Sequence, residues 1–106
     1  MGSKARSVRV TEDMLAVEVE DNRILSVPLV WYPRLWYGSP EERANVVLLA
    51  DGAYLYWPDL DEDLSVEGLL LGRKSAESPE SLRRWLASRG QEPRSDLAMD
   101  RESRDE

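Results

Sequence analysis

The chain has 106 residues and a formal net charge of −7, and it contains neither cysteine nor histidine. At this length one domain is expected; the missing side chains exclude disulfides, thiolate metal sites and the commonest general base. The acidic balance argues against a nucleic-acid groove.

Met1 to Lys4 lack the apolar stretch of a signal peptide, and no apolar run approaches the roughly 18 residues of a membrane span, so the cytoplasm is the expected compartment. Residues 1–6 read as a flexible N-terminus or expression scar, 7–90 as a single α+β domain, and 91–106 as a disordered charged tail.

Val8 and Val10 can form a first strand before Thr11-Glu12-Asp13. From Met14 to Glu20 the pattern alternates, Leu15, Val17 and Val19 against Ala16, Glu18 and Glu20, which predicts a half-buried strand. An extended pattern resumes from Arg23 to Leu29. A two-residue loop would mix polar and apolar groups on one face. A three-residue loop, Glu20-Asp21-Asn22 with Asn22 left-handed, sets Leu25 opposite Val17 and Val27 opposite Leu15.

Seven of the eight aromatic residues fall in two blocks, Val27 to Tyr37 and Tyr54 to Leu64, which should organise the core. Pro28 and Pro33 restrict the residues before them to extended geometry, so the first block is not one continuous helix. Ser39-Pro40-Glu41-Glu42 is a complete helix start, with Ser39 as N-cap and Glu42 at the third position, and the helix should end near Ala44 or Asn45.

Val46 to Ala50 and Ala53 to Trp57 flank Asp51-Gly52, a hairpin signal that pairs Leu49 with Tyr54 and Val47 with Tyr56. Both faces of that hairpin are apolar, so the outer one needs a helix or a partner. An acidic loop follows, then a short helix from Val66 to Leu71 capped by Asp63 or Ser65 and ended by Gly72. Ser78-Pro79-Glu80 starts a C-terminal helix that runs to about Arg89 and stops at Gly90, with Leu82, Trp85 and Leu86 on a narrow apolar face.

No nucleophile motif and no phosphate-cradling glycine loop is present. The loop Asp59-Leu60-Asp61-Glu62-Asp63 lacks the continuation of an EF-hand and reads as a solvated loop at a helix start. No catalytic, cofactor-binding or metal-ligating residue is therefore assigned, and no cofactor is expected. What remains is a binding surface. Tyr, Trp and Arg together are the composition of a hot spot, and the candidate contacts are Tyr32, Arg34, Tyr37, Asp59, Asp61, Asp63 and Trp85.

The stretches Leu15-x-Val-x-Val-x-Asp21, Ile24-x-x-Val-Pro-Leu-Val-Trp-Tyr-Pro-Arg-Leu35, Ser39 to Asn45 and Trp57 to Gly72 resemble a family of small bacterial proteins catalogued as domain of unknown function 2442. The resemblance covers about residues 7 to 74. Asp21-Asn22-Arg23 replaces the family's frequent Asp-Gly-Arg at the first turn, which still permits a left-handed residue. The resemblance implies a small α+β fold and a role as an antitoxin component encoded beside a second short reading frame. Some relatives place the domain before a helix-turn-helix module, which this chain lacks.

The resulting expectation is an α+β domain of two antiparallel hairpins with short helices and one C-terminal helix, acting as a non-enzymatic protein-interaction module. Its partner would be a small basic toxin from the adjacent gene; a second copy of the chain is the other candidate. A membrane is not expected as a partner, nor nucleic acid bound directly. The alternatives are a transcription accessory or DNA-binding regulator and, more weakly, a metal-dependent small enzyme.

Overall fold

The computed structural model describes residues 4–92. The chain divides into two compact units, Met1–Ser75 and Ala76–Glu106, where the sequence reading drew one domain from 7 to 90. The expected tail from residue 91 lies, beyond Glu92, outside the described residues.

The first unit holds two three-stranded antiparallel sheets, each a simple meander. The first sheet contains β1 (Ala5–Val10), β2 (Met14–Val19) and β3 (Ile24–Pro28), in that spatial order. Leu15 pairs with Val27 and Val17 with Leu25, as the polar–apolar alternation demands. Val19 N–H donates to Arg23 O (2.9 Å), and Asn22 has a φ of 74°, so the three-residue loop closes through a left-handed asparagine. The amide of Arg23 donates to Asp21 Oδ1 (3.1 Å), which holds that carboxyl below its ordinary value. β1 begins earlier than expected. Ala5 pairs with Val19, and a bulge at Arg6 lets its guanidinium reach Glu20 O and Asn22 Oδ1, so Ala5 and Arg6 are strand and not flexible terminus.

After β3 the chain makes a 3₁₀ turn, Leu29–Trp31, then α1 (Pro33–Trp36). Tyr32 breaks the two at φ −126°, ψ 88°, because a residue before proline is driven away from helical geometry. α2 (Pro40–Ala44) carries the reciprocal capping box: Glu42 N–H donates to Ser39 Oγ (3.1 Å), and Ser39 N–H donates to Glu42 Oε1 (2.9 Å).

The second sheet contains β4 (Val47–Leu49), β5 (Tyr54–Trp57) and β6 (Glu62–Ser65), again in chain order. Its first hairpin has the expected register: Val47 opposite Tyr56, Leu48 opposite Leu55, Leu49 opposite Tyr54. Ala53 N–H closes the turn on Ala50 O (3.1 Å), with Asp51 at φ 58° and Gly52 at φ 98°. Glycine is required at position 52 for a second reason, since a Cβ there would lie 2.3 Å from Ala5 O of β1. That contact sets the turn of the second sheet against the first.

α3 (Val66–Leu70) is capped by Ser65, whose Oγ accepts from Gly68 N–H (2.9 Å). It ends in paired bonds from Gly72 N–H to Leu69 O and from Arg73 N–H to Gly68 O, around Gly72 at φ 76°. The core of this unit is drawn from both sheets and the turns between them: Leu15, Val17, Val27, Leu29, Leu35, Leu55, Trp57, Leu60, Val66 and Leu69 are all buried. Trp57 is fully buried, with its Nε1–H donating to Arg43 O (2.9 Å).

The second unit contains α4 (Pro79–Ser88), begun by Ser78 Oγ accepting from Ser81 N–H (3.1 Å) and closed at Gly90. Leu82 and Leu86 are its buried residues. No helix among the described residues is long and apolar enough to cross a membrane.

Candidate functional site

Tyr32 and Tyr37, expected at a contact surface, lie in the core with only 2 % and 4 % of their surface exposed. The Tyr32 hydroxyl donates to Arg73 O and so ties the end of the unit back to the first aromatic block. Burial, helped by the carboxylate of Glu62, raises that hydroxyl above its ordinary value of 10.0. These rings organise packing, and a partner could reach them only if the fold opened.

Arg34 is also mostly covered. Its Nη1 donates to Asp61 O (3.1 Å) and reaches Leu60 O and Asp61 Oδ2 (both 3.5 Å), so it braces the turn between β5 and β6. Asp61, at φ 51°, is the left-handed residue of that turn. The expected acidic loop is thus a tight turn followed by a strand: Trp57 pairs with Glu62 and Tyr56 with Asp63. The sequence reading missed β6 because Glu62 and Asp63 are poor strand formers; pairing with an aromatic strand overrides that preference. Pro58-Asp59 between Trp57 and Leu64 was the turn signal that could have found it. Asp59, Asp61 and Asp63 are exposed; Asp59 accepts from Asn45 Nδ2 (2.9 Å). Among the described residues no group of three or more carboxylates gathers where it could hold a metal ion. Trp85, in the second unit, is half-buried on α4 with the Arg89 guanidinium 4.6 Å from its ring centre.

The six candidates of the first unit therefore do not form one exposed patch. The surface that does stand out is the outer face of the second sheet. The register places Val47, Tyr56 and Asp63 in one row and Leu49, Tyr54 and Ser65 in the next. Val47 is 41 % exposed, Leu49 44 % and Tyr54 48 %, while Leu55 and Trp57 on the opposite side of the same strand are buried. This is the outer apolar face expected from the hairpin pattern, and within the unit no helix covers it. The segment from residue 46 to 65 carries Asp51, Asp59, Asp61, Glu62 and Asp63 and no lysine or arginine. An apolar, tyrosine-bearing face inside a purely acidic segment has the composition of a protein-contact surface.

The first unit is a small α+β domain built from two three-stranded antiparallel meanders and short capped helices. The family described as Protein of unknown function (DUF2442) matches residues 5–75, which is the first compact unit almost to the residue. The chain belongs to this family. Among solved structures it is similar to a protein of unknown function from Rhodospirillum rubrum ATCC 11170, at 25 % identity and a TM-score of 0.65, covering 73 % of this chain and 95 % of that one. It shares its fold with an uncharacterized protein from Chromobacterium violaceum, at 24 % identity and a TM-score of 0.61, covering 90 % of this chain and 78 % of that one. No curated protein matches.

Proposed function

We propose that this chain is a non-enzymatic interaction module of the cytoplasm that binds a basic protein, as an antitoxin binds the toxin encoded beside it. The observation that carries the reading is the exposed apolar row Val47, Leu49 and Tyr54 lying in a segment with five carboxylates and no cation. Such a surface attracts a cationic partner over distance and then offers tyrosine and leucine for close packing. The same charge pattern repels nucleic-acid phosphate, which disfavours the regulator alternative.

The test is co-expression with the product of the adjacent gene, followed by size-exclusion chromatography at low and at physiological salt. A stable complex is expected, and the double substitution Leu49→Lys with Tyr54→Lys should dissolve it while the fold persists by circular dichroism. Absence of any complex at low salt would remove this reading.

A further inference from the structure

The interaction reading leaves open what shape of partner the second sheet takes, and the answer given by the sheet's outer face rests on that reading. The main chain sets the first constraint. Val66 N–H donates to Ala53 O (3.0 Å), so Ala53, Leu55 and Trp57 spend their N–H and C=O groups on the β6 side. Tyr54 and Tyr56 therefore spend theirs on β4, through Leu49 and Val47. Of the three residues of β4, Leu48 alone turns its main chain outward. One residue's donor and acceptor cannot seat an added strand, so contact here runs through side chains.

Val47, Leu49, Tyr54 and Tyr56 share the outer face in two rows, which a spacing of two residues sets about 7 Å apart. Three exposed carboxylates border them. Asp63 continues the row of Val47 and Tyr56, Asp51 stands in the turn at one end of β5, and Asp59 stands in the turn at the other. Among the described residues none of the three has an ion-pair partner; Asp59 accepts from the neutral side chain of Asn45.

A segment pressed on an apolar face loses water from its own N–H and C=O groups, and this face returns no partner for them. A helix bonds those groups internally; an extended segment does not. Apolar residues at i, i+3, i+4 and i+7 of a helix span about 10 Å, enough to cover both rows. Charge disfavours a second copy as the occupant, because it would set the same three carboxylates against their own kind.

We infer that the outer face of the second sheet receives an amphipathic helix of another protein, about four turns long, with an aliphatic stripe and lysine or arginine at both ends and along its flank. The stripe packs on Val47, Leu49, Tyr54 and Tyr56, and the cations meet Asp51, Asp59 and Asp63.

The probe is a capped synthetic peptide, Lys-Ala-Ala-Lys-Leu-Ala-Lys-Leu-Leu-Ala-Lys-Leu-Ala-Ala-Lys. One control has glutamate for every lysine; a second has proline for the alanine that follows the paired leucines, which breaks the helix. In the full-length protein the lysine helix should shift the side-chain NMR signals of Val47, Leu49, Tyr54 and Tyr56. It should bind about tenfold or more tightly than either control, and more weakly as salt rises. Asparagine tolerates the left-handed backbone at position 51. The triple variant Asp51→Asn, Asp59→Asn, Asp63→Asn should therefore keep its fold and bind the lysine helix about tenfold more weakly. If that variant is disturbed, Asp63→Asn alone should still show a loss of about threefold.

Four results would overturn the inference: no binding of the lysine helix at low salt, equal binding of the proline peptide, binding that leaves those four side chains unshifted, or a dimer of the protein that already buries them. A natural basic partner that forms a complex without shifting them would sink helix docking alone and leave the interaction reading intact. No complex with that partner, beside tight binding of the probe, would remove the interaction reading and leave the helix site standing.

Discussion

The two sheets share one topology and treat their outer faces in opposite ways. On the first sheet the outward positions include Ser7, Arg9, Glu18 and Ser26; Ser7 Oγ donates to Glu18 Oε1 (3.1 Å), and Arg6 lies 3.8 Å from the same carboxylate. Water and opposite charges satisfy most of that face, where Ile24, opposite Glu18, is the one large apolar side chain left exposed, and β2 alternates between buried and partly exposed positions. On the second sheet the equivalent rows are Val47–Tyr56–Asp63 and Leu49–Tyr54–Ser65. The core does not need those apolar groups, since Leu55, Trp57 and Leu60 already fill the inner side. An apolar face that folding does not use is available for another molecule. The first sheet is scaffold on both faces; the second is scaffold on its inner face and, in the function proposed, the contact surface on its outer one.

The largest expected effect tests the inner side. Trp57→Ala should cost about 3–5 kcal/mol, because it opens a cavity and leaves Arg43 O without its donor. Chemical denaturation would measure it, and a loss under 1 kcal/mol would show that the ring is not the centre of the unit. Next comes the join between the sheets. Gly52→Ala must place a Cβ against Ala5 O from a φ of 98°, so a loss of about 1–3 kcal/mol is expected, mostly through displacement of β1 from the second sheet.

Much of this division was legible in the residues. The loop of Glu20-Asp21-Asn22 followed from asking which register keeps Leu15, Val17, Leu25 and Val27 on one side, and the pairing agrees. Asp51-Gly52 gave the second hairpin in the same way, and Ser39-Pro40-Glu41-Glu42 gave the cap of α2. What could not be read was decided by tertiary contact. β6 exists because Trp57 and Tyr56 offer it a ladder, against the preference of Glu62 and Asp63. Ala5 joins β1 because Val19 lies opposite. The candidate site suffered most: Tyr32 and Tyr37 have the composition of a binding surface, but composition does not say which way a ring points, and 3₁₀ and α turns on either side of Tyr32 turn both inward. The exposed outer face, by contrast, was implied as soon as both faces of one hairpin proved apolar.

A smaller effect separates a buried ring from an exposed one by pH. In the unfolded chain the Tyr32 phenol ionises near 10, whereas burial and Glu62 raise it in the folded protein. The native state therefore keeps its proton to higher pH. The resulting stabilisation is complete below pH 10 and is lost as pH climbs through the raised value. Tyr32→Phe should cost about 1 kcal/mol at neutral pH through the lost bond to Arg73 O, and its stability should fall less steeply above pH 10 than that of the parent. Equal alkaline slopes in the two proteins would show that the ring titrates as if in water.

The smallest expected change in stability belongs to the face proposed to meet the partner. Leu49→Thr and Tyr54→Thr place a strand-favouring β-branched side chain in each strand and remove apolar surface that is already 44 % and 48 % exposed. Stability should stay within about 0.5 kcal/mol of the parent, the range of ordinary surface changes. Affinity for the basic partner should nevertheless fall at least tenfold, because the removed groups are the ones that packing against it would bury. The parallel substitutions Ser7→Ala and Ser26→Ala on the first sheet should leave both quantities unchanged. If the two threonine variants unfold the protein, the second sheet's outer face belongs to the fold after all, and the contrast between the sheets disappears. If they leave both stability and partner affinity intact, the exposed leucine and tyrosine are ordinary surface, and the contact must be sought elsewhere on the chain.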